Sequence, residues 1–206
     1  MVMSDENIPF HIPDFWVWAR VDAFAQTRLG KMLDNAKNKG TPVFYLRNIN
    51  VRWFDFDLSD VKEMRFEDSE LKEFALNHGD VLICEGGYPG RAAVWDGRKD
   101  NIYFQKALHR VRFHNGVNPF YFVNVLRESV DSGRLNSYFT GAGIQHFTGK
   151  GLRAFLVPLP PIAEQHRIVA KVDELMSVCD QLKSRLTDAN KLQQKLADVI
   201  TNRAVA

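Results

Sequence analysis

The sequence predicts an α+β fold, in which a mixed α/β globular domain is followed by a long C-terminal helix that forms a coiled coil. Short apolar segments bounded by Gly, Asn, Asp and Pro indicate strands, and helices do not alternate with them as in βαβ units. The dipeptide Asn118-Pro119 marks the start of one helix. From Ile162 to about Ala204 the chain has neither Gly nor Pro, which favours a single long helix.

Within the globular part, alternating or continuous apolar runs predict four strands. They cover residues 41–49 (TPVFYLRNI), 80–84 (DVLIC), 92–95 (AAVW) and 107–113 (ALHRVRF). Two helices are predicted, one over residues 22–36 and one that begins after the N-cap Asn118 and ends at Gly133.

The C-terminal helix carries a heptad pattern. Counted in alternating steps of four and three from Ile168, nine of eleven positions are apolar over roughly five heptads. A helix of about 40 residues is about 60 Å long, which is more than a domain of this size can cover. We therefore expect the seam to pack against a second helix, and the alternative is a helix packed lengthwise on its own domain. The predicted dimerisation seam consists of Val172, Leu175, Leu182, Leu186, Leu196 and Ile200.

Composition excludes several classes of protein. The hydrophobic content of 45% and charged content of 25% over 206 residues are typical of a globular protein. No apolar run approaches the ~18 residues of a membrane span, and the first residues do not form a secretory signal. Cys84 and Cys179 match no disulfide or metal spacing, so we expect a reduced, cytoplasmic setting.

Charge is divided along the chain although the net charge is only +2. Residues 55–85 hold ten acidic side chains and three basic ones, whereas residues 86–153 hold ten basic and four acidic side chains. If the basic segment folds onto one face, it suits a phosphate backbone. A mixed, solvated surface is the alternative.

Two loops have residue types that bind DNA. Residues 47–53 (RNINVRW) place Arg and Asn, which pair with guanine and adenine in the major groove, at the end of a strand. Residues 85–91 (EGGYPGR) follow another strand, and their glycines would let the backbone approach a duplex. Ordinary polar loop ends and a tight turn explain the same residues without function.

The sequence gives little support for a catalytic site. Residues 118–121 (NPFY) are similar to the N-P-P-Y tetrapeptide of amino-methyltransferases, but the second proline is missing and a helix cap explains them. Asp96, Asp100 and Lys106 lack nuclease spacing, and the six histidines form no metal pattern. We therefore expect no catalytic residue and no metal site.

Five segments, in order, resemble the type I restriction-modification specificity subunits. The most specific is residues 157–169 (VPLPPIAEQHRIV), which is similar to the signature that joins a recognition domain to a long helix in that family. The others are residues 13–18 (PDFWVW), 44–50 (FYLRNIN), 76–83 (LNHGDVLI) and 140–147 (TGAGIQHF). The resemblance covers nearly the whole chain.

The resemblance implies a target-recognition domain over residues 1–157 and a conserved helical region over residues 158–206. Such a subunit reads double-stranded DNA and positions modification methyltransferase subunits, with or without a restriction nuclease subunit, on a split target. It is not itself an enzyme, and S-adenosylmethionine is expected only on the partner methyltransferase. Family members carry two recognition domains and two helices, whereas this chain has one of each. Homodimerisation through the helix is therefore expected, unless the second half comes from the same polypeptide.

The resemblance also directs the choice of DNA-binding candidates to polar loop residues. These are Arg47, Asn48, Asn50, Arg52, Tyr88, Arg91, Lys106 and Gln145. The competing hypotheses are a coiled-coil dimeric DNA-binding regulator without a methyltransferase partner, a methyltransferase that uses residues 118–121, and a structural coiled-coil protein.

Overall fold

The computed structural model describes residues 8–34, 36–114 and 116–205, without the side chains of residues 196 and 199–205. It divides into two compact units, Met1–His166 and Arg167–Ala206. Their boundary falls later than the predicted one between residues 157 and 158, because the strand that contains Pro158 and the first turn of the long helix belong to the first unit.

The main sheet has four strands in the order β2-β8-β5-β6, and each neighbouring pair is antiparallel. Its members are β2 (Ala25–Leu29), β5 (Val81–Cys84), β6 (Ala92–Val94) and β8 (Leu108–Phe113). All residues of β5 and β6 are buried, which explains why they form continuous apolar runs rather than alternating patterns.

A second sheet of three strands packs beside the first. It contains β3 (Thr41–Leu46), β4 (Lys62–Phe66) and β7 (Tyr103–Phe104) in the order β4-β3-β7. Side chains from both sheets enter one hydrophobic cluster, in which Phe66 and Trp95 are among the largest buried groups. The shared core fixes the two sheets as one body.

The remaining elements complete the first unit and begin the second. A two-stranded sheet joins β1 (Val17–Arg20) to β9 (Leu156–Leu159). The helices are α1 (Val21–Phe24), α2 (Asp68–Phe74), α3 (Pro119–Asp131), α4 (Gly149–Ala154) and α5 (Ile162–Val205). The α+β fold with a long C-terminal helix is thus confirmed.

Most predicted elements are confirmed, but the helix over residues 22–36 is wrong. Among the described residues of this range only Val21–Phe24 is helical, and the chain then enters β2. Burial along Ala25–Leu29 alternates, and the strand pairs with β8 at every residue. The hydrogen bonds of this ladder override the helical preference of the local sequence. The predicted strand over residues 41–49 ends at Leu46, and a 3-10 turn, Asn48–Asn50, follows.

The second unit consists of the rest of α5. The whole helix has 44 residues counted from Ile162, which corresponds to about 66 Å. Leu175, Leu182 and Leu186 of the predicted seam are exposed in the single chain, and Val172 is half-buried. The side chains of Leu196 and Ile200 lie outside the described residues. Across the described part of the chain, no helix combines the length and hydropathy that a membrane crossing requires.

Candidate nucleic-acid interface

Four segments from distant parts of the sequence meet at one end of the main sheet. We call them the loop cluster, and they comprise residues 47–53, 85–91, 105–107 and 140–146. The backbone N–H of Glu85 donates to the carbonyl of Ala107 at 2.9 Å, and that of Gln105 donates to Leu46 at 3.1 Å. The antiparallel pairing of β5 with β8 causes this convergence, because the end of one strand lies beside the start of the other.

Side chains tie the first two loops together. The Asn48 amide donates through Nδ2 to the carbonyl of Gly86 at 2.7 Å. Arg91 donates through Nη2 to the carbonyl of Asn48 at 2.8 Å, and its guanidinium lies 4.3 Å from the ring centre of Tyr88. Tyr88 is 66% exposed, whereas Arg91 is half-buried, so the Arg91 guanidinium supports the inner face of a ring whose other side is open to solvent.

The 140–146 segment is a tight hairpin. The backbones of Thr140 and His146 exchange two hydrogen bonds of 2.9 Å. The base of the hairpin packs closely against Gly86. A Cβ at this position would lie 2.9 Å from Nδ1 of His146, so a side chain there would push the hairpin away. An open cleft of about 300 Å³ separates its tip from Gly87 and Pro89.

Buried groups hold the hairpin at its exit. Phe147 is fully buried, and its backbone N–H donates to the carbonyl of Glu85 at 2.7 Å. Burial lowers the pKa of His109, so we assign a neutral ring whose Nε2 donates to the Phe147 carbonyl at 2.9 Å. The hairpin is therefore anchored to both central strands of the main sheet.

The structure brings five of the predicted site residues into the loop cluster, of which three are exposed and two, Asn48 and Arg91, are half-buried and bonded between the loops. The five are Asn48, Tyr88, Arg91, Lys106 and Gln145. Two others lie in the same cluster but are paired with acids. Arg47 contacts Asp60 at 2.6 Å, and Arg52 contacts Asp57 at 3.3 Å. A phosphate would have to compete with these carboxylates.

Asn50 does not fit a direct base contact. Asn50 is only 2% exposed, and its Oδ1 accepts the backbone N–H of Arg47 at 2.8 Å. Its Nδ2 donates to the carbonyls of Asp57 and Asp60 at 2.9 and 3.0 Å. Both ends of the amide are thus used to shape the 47–53 loop, so the residue has a structural role in place of the predicted one.

Sequence reasoning missed one polar residue of the cluster, Gln105. Eight buried side-chain polar atoms in the described residues lack a hydrogen-bond partner, and four of them belong to the loop cluster: Arg47 Nε, Asn48 Oδ1, Arg91 Nε and Gln105 Oε1. Buried polar groups are usually satisfied, so these four atoms mark a part of the fold where polar side chains are unusually concentrated. Lys106, which was predicted from the sequence, lies next to Gln105 and could have drawn attention to this turn. Ala107 in the same turn has a positive φ of 93°.

Two ion pairs join the acidic and basic segments of the sequence. Arg98 contacts Asp55 at 2.8 Å, and Arg112 contacts the buried Asp80 at 2.7 Å. Arg110 is itself buried and donates to the carbonyl of Glu73 at 2.8 Å. Part of the basic segment is therefore used inside the fold and is not available to a basic face. Lys106, Lys150 and Arg153 of this segment are exposed.

The methyltransferase-like segment is a helix cap. Oδ1 of Asn118 accepts the backbone N–H groups of Phe120 and Tyr121 at 2.9 and 3.3 Å. Its Nδ2 lies 3.0 Å from Nδ1 of His166. The amide is therefore occupied within the fold.

Burial raises the pKa of the Cys84 thiol to about 11, so this thiol is not a nucleophile at neutral pH. No group of three or more His, Cys, Asp or Glu in the described residues is placed to hold a metal.

Two substitutions of Asn118 distinguish a helix-capping role from a catalytic one. We expect Asn118→Ala to lower the free energy of unfolding by about 1 kcal/mol, and Asn118→Ser to restore most of it because serine also caps helices. Urea denaturation measures both. The two variants should support equal methylation in a complex with the methyltransferase that the family resemblance implies as a partner. Loss of methylation in the stable Asn118→Ser variant would assign the amide to chemistry.

The proline-rich segment before α5 is joined to the start of α3. Gln165 is buried, and its Oε1 accepts the backbone N–H of Asn118 at 2.8 Å. Its Nε2 donates to the carbonyls of Gly116 at 3.1 Å and Pro160 at 2.9 Å. The phenol of Tyr121 donates to the Pro158 carbonyl at 2.6 Å. These bonds fix the first turn of α5 on the first unit.

Comparison with known proteins gives a consistent result. Residues 24–192 match the family model of the type I restriction modification DNA specificity domain. The chain is 28% identical to the EcoAI specificity subunit of Escherichia coli over 98% of its own length, and 30% identical to the EcoBI specificity subunit of that species over 100%. It spans 35% and 42% of the length of these two relatives.

Solved structures show the same fold. A chain from a type I R-M system, studied for complex assembly and conformational transition, superposes with a TM-score of 0.68 at 18% identity, over 92% of this chain and 45% of that one. The HsdS subunit from Thermoanaerobacter tengcongensis gives a TM-score of 0.61 at 19% identity, over 86% and 41% of the two chains. With the family model matching most of its length, the chain belongs to the type I restriction-modification DNA specificity family.

Proposed function

We propose that this chain recognises one half of a split DNA target through the loop cluster and is not itself catalytic. The observation that carries the proposal is the convergence of three exposed side chains, Tyr88, Lys106 and Gln145, at one end of the main sheet, with Arg91 stacked on Tyr88. Polar side chains on rigidly held loops suit base-edge contacts, and cations beside them suit phosphates. The coiled-coil regulator finds no support among the relatives described above.

We further propose that modification methyltransferase subunits, with or without a restriction nuclease subunit, are its protein partners. S-adenosylmethionine would bind to the methyltransferase, and this chain would need no cofactor. The relatives are specificity subunits of type I restriction enzymes, which supports this assignment. The complex would work on chromosomal and invading DNA in the cytoplasm.

For the helix, we propose pairing with a second copy of the chain. Three leucines of the seam are exposed in the single chain, and burial of such side chains is worth about 1.5–3 kcal/mol each. An antiparallel pair would place two identical domains on a palindromic split site. The alternative is a second helix from the same longer polypeptide, which would give an asymmetric target.

The test of DNA recognition uses the purified chain with its methyltransferase partner. We expect Lys106→Ala to reduce the slope of log affinity against log salt by about 1, because one phosphate contact is lost. Arg91→Ala should cost about 1–3 kcal/mol of discrimination between target and scrambled DNA. Fluorescence anisotropy across a salt series measures both effects.

Lys72→Ala, on the exposed side of α2, is the matched control and should leave both quantities unchanged. Equal salt slopes for the wild type and the Lys106 and Lys72 variants would contradict the placement of the interface.

Helix length provides a further prediction. Deleting one heptad, residues 179–185, shortens α5 by about 10 Å. We expect the unspecified gap of the methylated motif to shorten by about three base pairs at ~3.4 Å each, with the specified bases unchanged. Methylation mapping of host DNA gives the result. An unchanged gap would contradict the spacer role of the helix.

A further inference from the structure

The tip of the 140–146 hairpin exposes one large aliphatic side chain. Ile144 is 74% exposed, more than the other large hydrophobic residues of the described chain. The remaining tip residues are Gly141, Ala142, Gly143 and the polar Gln145. Single exposed aliphatic groups are common on protein surfaces, so exposure alone does not indicate a role for Ile144. Its location relative to the loop cluster is the relevant observation.

The hairpin is thin at its tip and firmly held at its base. Gly141 has a φ of 107°, and a Cβ there would overlap the carbonyl oxygen of Ile144. Nothing would meet a side chain at Gly143, so the backbone there is open to solvent. The base is closed by the Thr140–His146 pair and anchored through Phe147. The tip is therefore narrow, and its base is fixed to the main sheet.

The position of the tip relates it to the polar groups of the loop cluster. Ile144 and Gln145 line the cleft opposite Gly87 and Pro89, which flank the exposed Tyr88. The apolar side chain is therefore displayed among groups that suit DNA rather than on an isolated part of the surface.

We propose that Ile144 is a specificity-determining residue that contacts the 5-methyl group of a thymine in the major groove. This methyl is the apolar group that base edges offer there, and the minor groove offers none. A neighbouring glutamine can pair with N6 and N7 of the adenine in the same base pair. Ile144 and Gln145 together thus match both halves of one A·T pair. The inference rests on the proposed function and names the base pair read by this hairpin.

The test uses the full chain and duplexes that carry the motif found by methylation mapping. Each thymine is replaced in turn by deoxyuridine, which lacks only the methyl group. We expect one replacement to weaken wild-type binding about fourfold, since burial of one such group is worth ~0.8 kcal/mol and ~1.4 kcal/mol is tenfold. The Ile144→Ala variant should bind the thymine and uracil duplexes equally. Val17→Ala, an exposed aliphatic position on β1, should retain the fourfold difference.

Two results would overturn the inference while leaving DNA recognition intact. One is motif-specific binding whose affinity does not change at any uracil replacement. A half-site that contains no A·T pair would count as the same result. The other is the same uracil effect in wild type and Ile144→Ala. Equal binding of motif and scrambled DNA would instead refute the proposed function itself, so the two failures are distinguishable.

Discussion

Replacing Asp80 with alanine is expected to lower the free energy of unfolding by about 3–5 kcal/mol, because a buried ion pair loses one partner. The Asp80 side chain is 2% exposed and accepts two hydrogen bonds of 2.7 Å from Nε and Nη2 of Arg112. It also accepts the backbone N–H of Asn77 at 2.7 Å. Alanine would leave the guanidinium without its carboxylate in a half-buried site and would release the turn that precedes β5.

The matched control is Asp131→Ala. Asp131 pairs with Arg127 at the same distance, 2.7 Å, but both side chains are exposed. Exposed pairs four residues apart on a helix contribute about 0.3–0.5 kcal/mol. Urea denaturation of both variants, with equal slopes, compares the two pairs directly. Equal losses of stability would contradict the structural importance given to Asp80.

The second large effect is expected for Gln165→Ala. The substitution removes three hydrogen bonds, two of them buried, and leaves the backbone N–H of Asn118 and the carbonyls of Gly116 and Pro160 without this partner. A buried polar group left unsatisfied costs about 1–3 kcal/mol. We expect a total loss of about 3 kcal/mol, since water can reach part of the site after the truncation.

Thermal and urea unfolding followed by circular dichroism would measure the loss. Gln181→Ala is the control, because Gln181 is exposed on α5 and its amide contacts only Ser177, at 3.5 Å. A loss under about 1 kcal/mol for Gln165→Ala would mean that the first turn of α5 is held by packing rather than by this amide.

Asp80 and Gln165 both lie in segments that carry the resemblance to specificity subunits. Their side chains are buried and hydrogen-bonded within the first unit. Tyr88, Lys106 and Gln145 lie instead on exposed loops. The molecule thus separates a bonded framework from a surface whose side chains can change without breaking that framework. This separation suits a protein that reads DNA sequence.

Local signals explain which parts of the fold could be predicted from the sequence. The cap at Asn118 and the long run without Gly or Pro after Ile162 act over neighbouring residues, and both helices follow the prediction. The buried strands β5 and β6 were also marked by continuous apolar runs between turn residues.

The remaining features depend on contacts between distant residues. β2 exists because β8 lies beside it, and residues 25–29 alone favour a helix. The inward amide of Asn50 and the pairing of Arg98 with Asp55 follow from how the chain folds back on itself. For the same reason the sequence suggested individual loop residues but could not predict that Gln105 would join them.

The most direct test of sequence-specific recognition is co-expression of this chain with its modification subunit in a host that lacks both, followed by mapping of methylated adenines. The proposed function predicts one new two-part motif, palindromic if two copies of the chain pair through α5, which disappears when Arg91 is replaced by alanine and persists in the Lys72→Ala control. Formation of a stable complex without new methylation would contradict the pairing of two copies and favour a second half from the same longer polypeptide. The same motif in the Arg91→Ala variant would contradict recognition through the loop cluster.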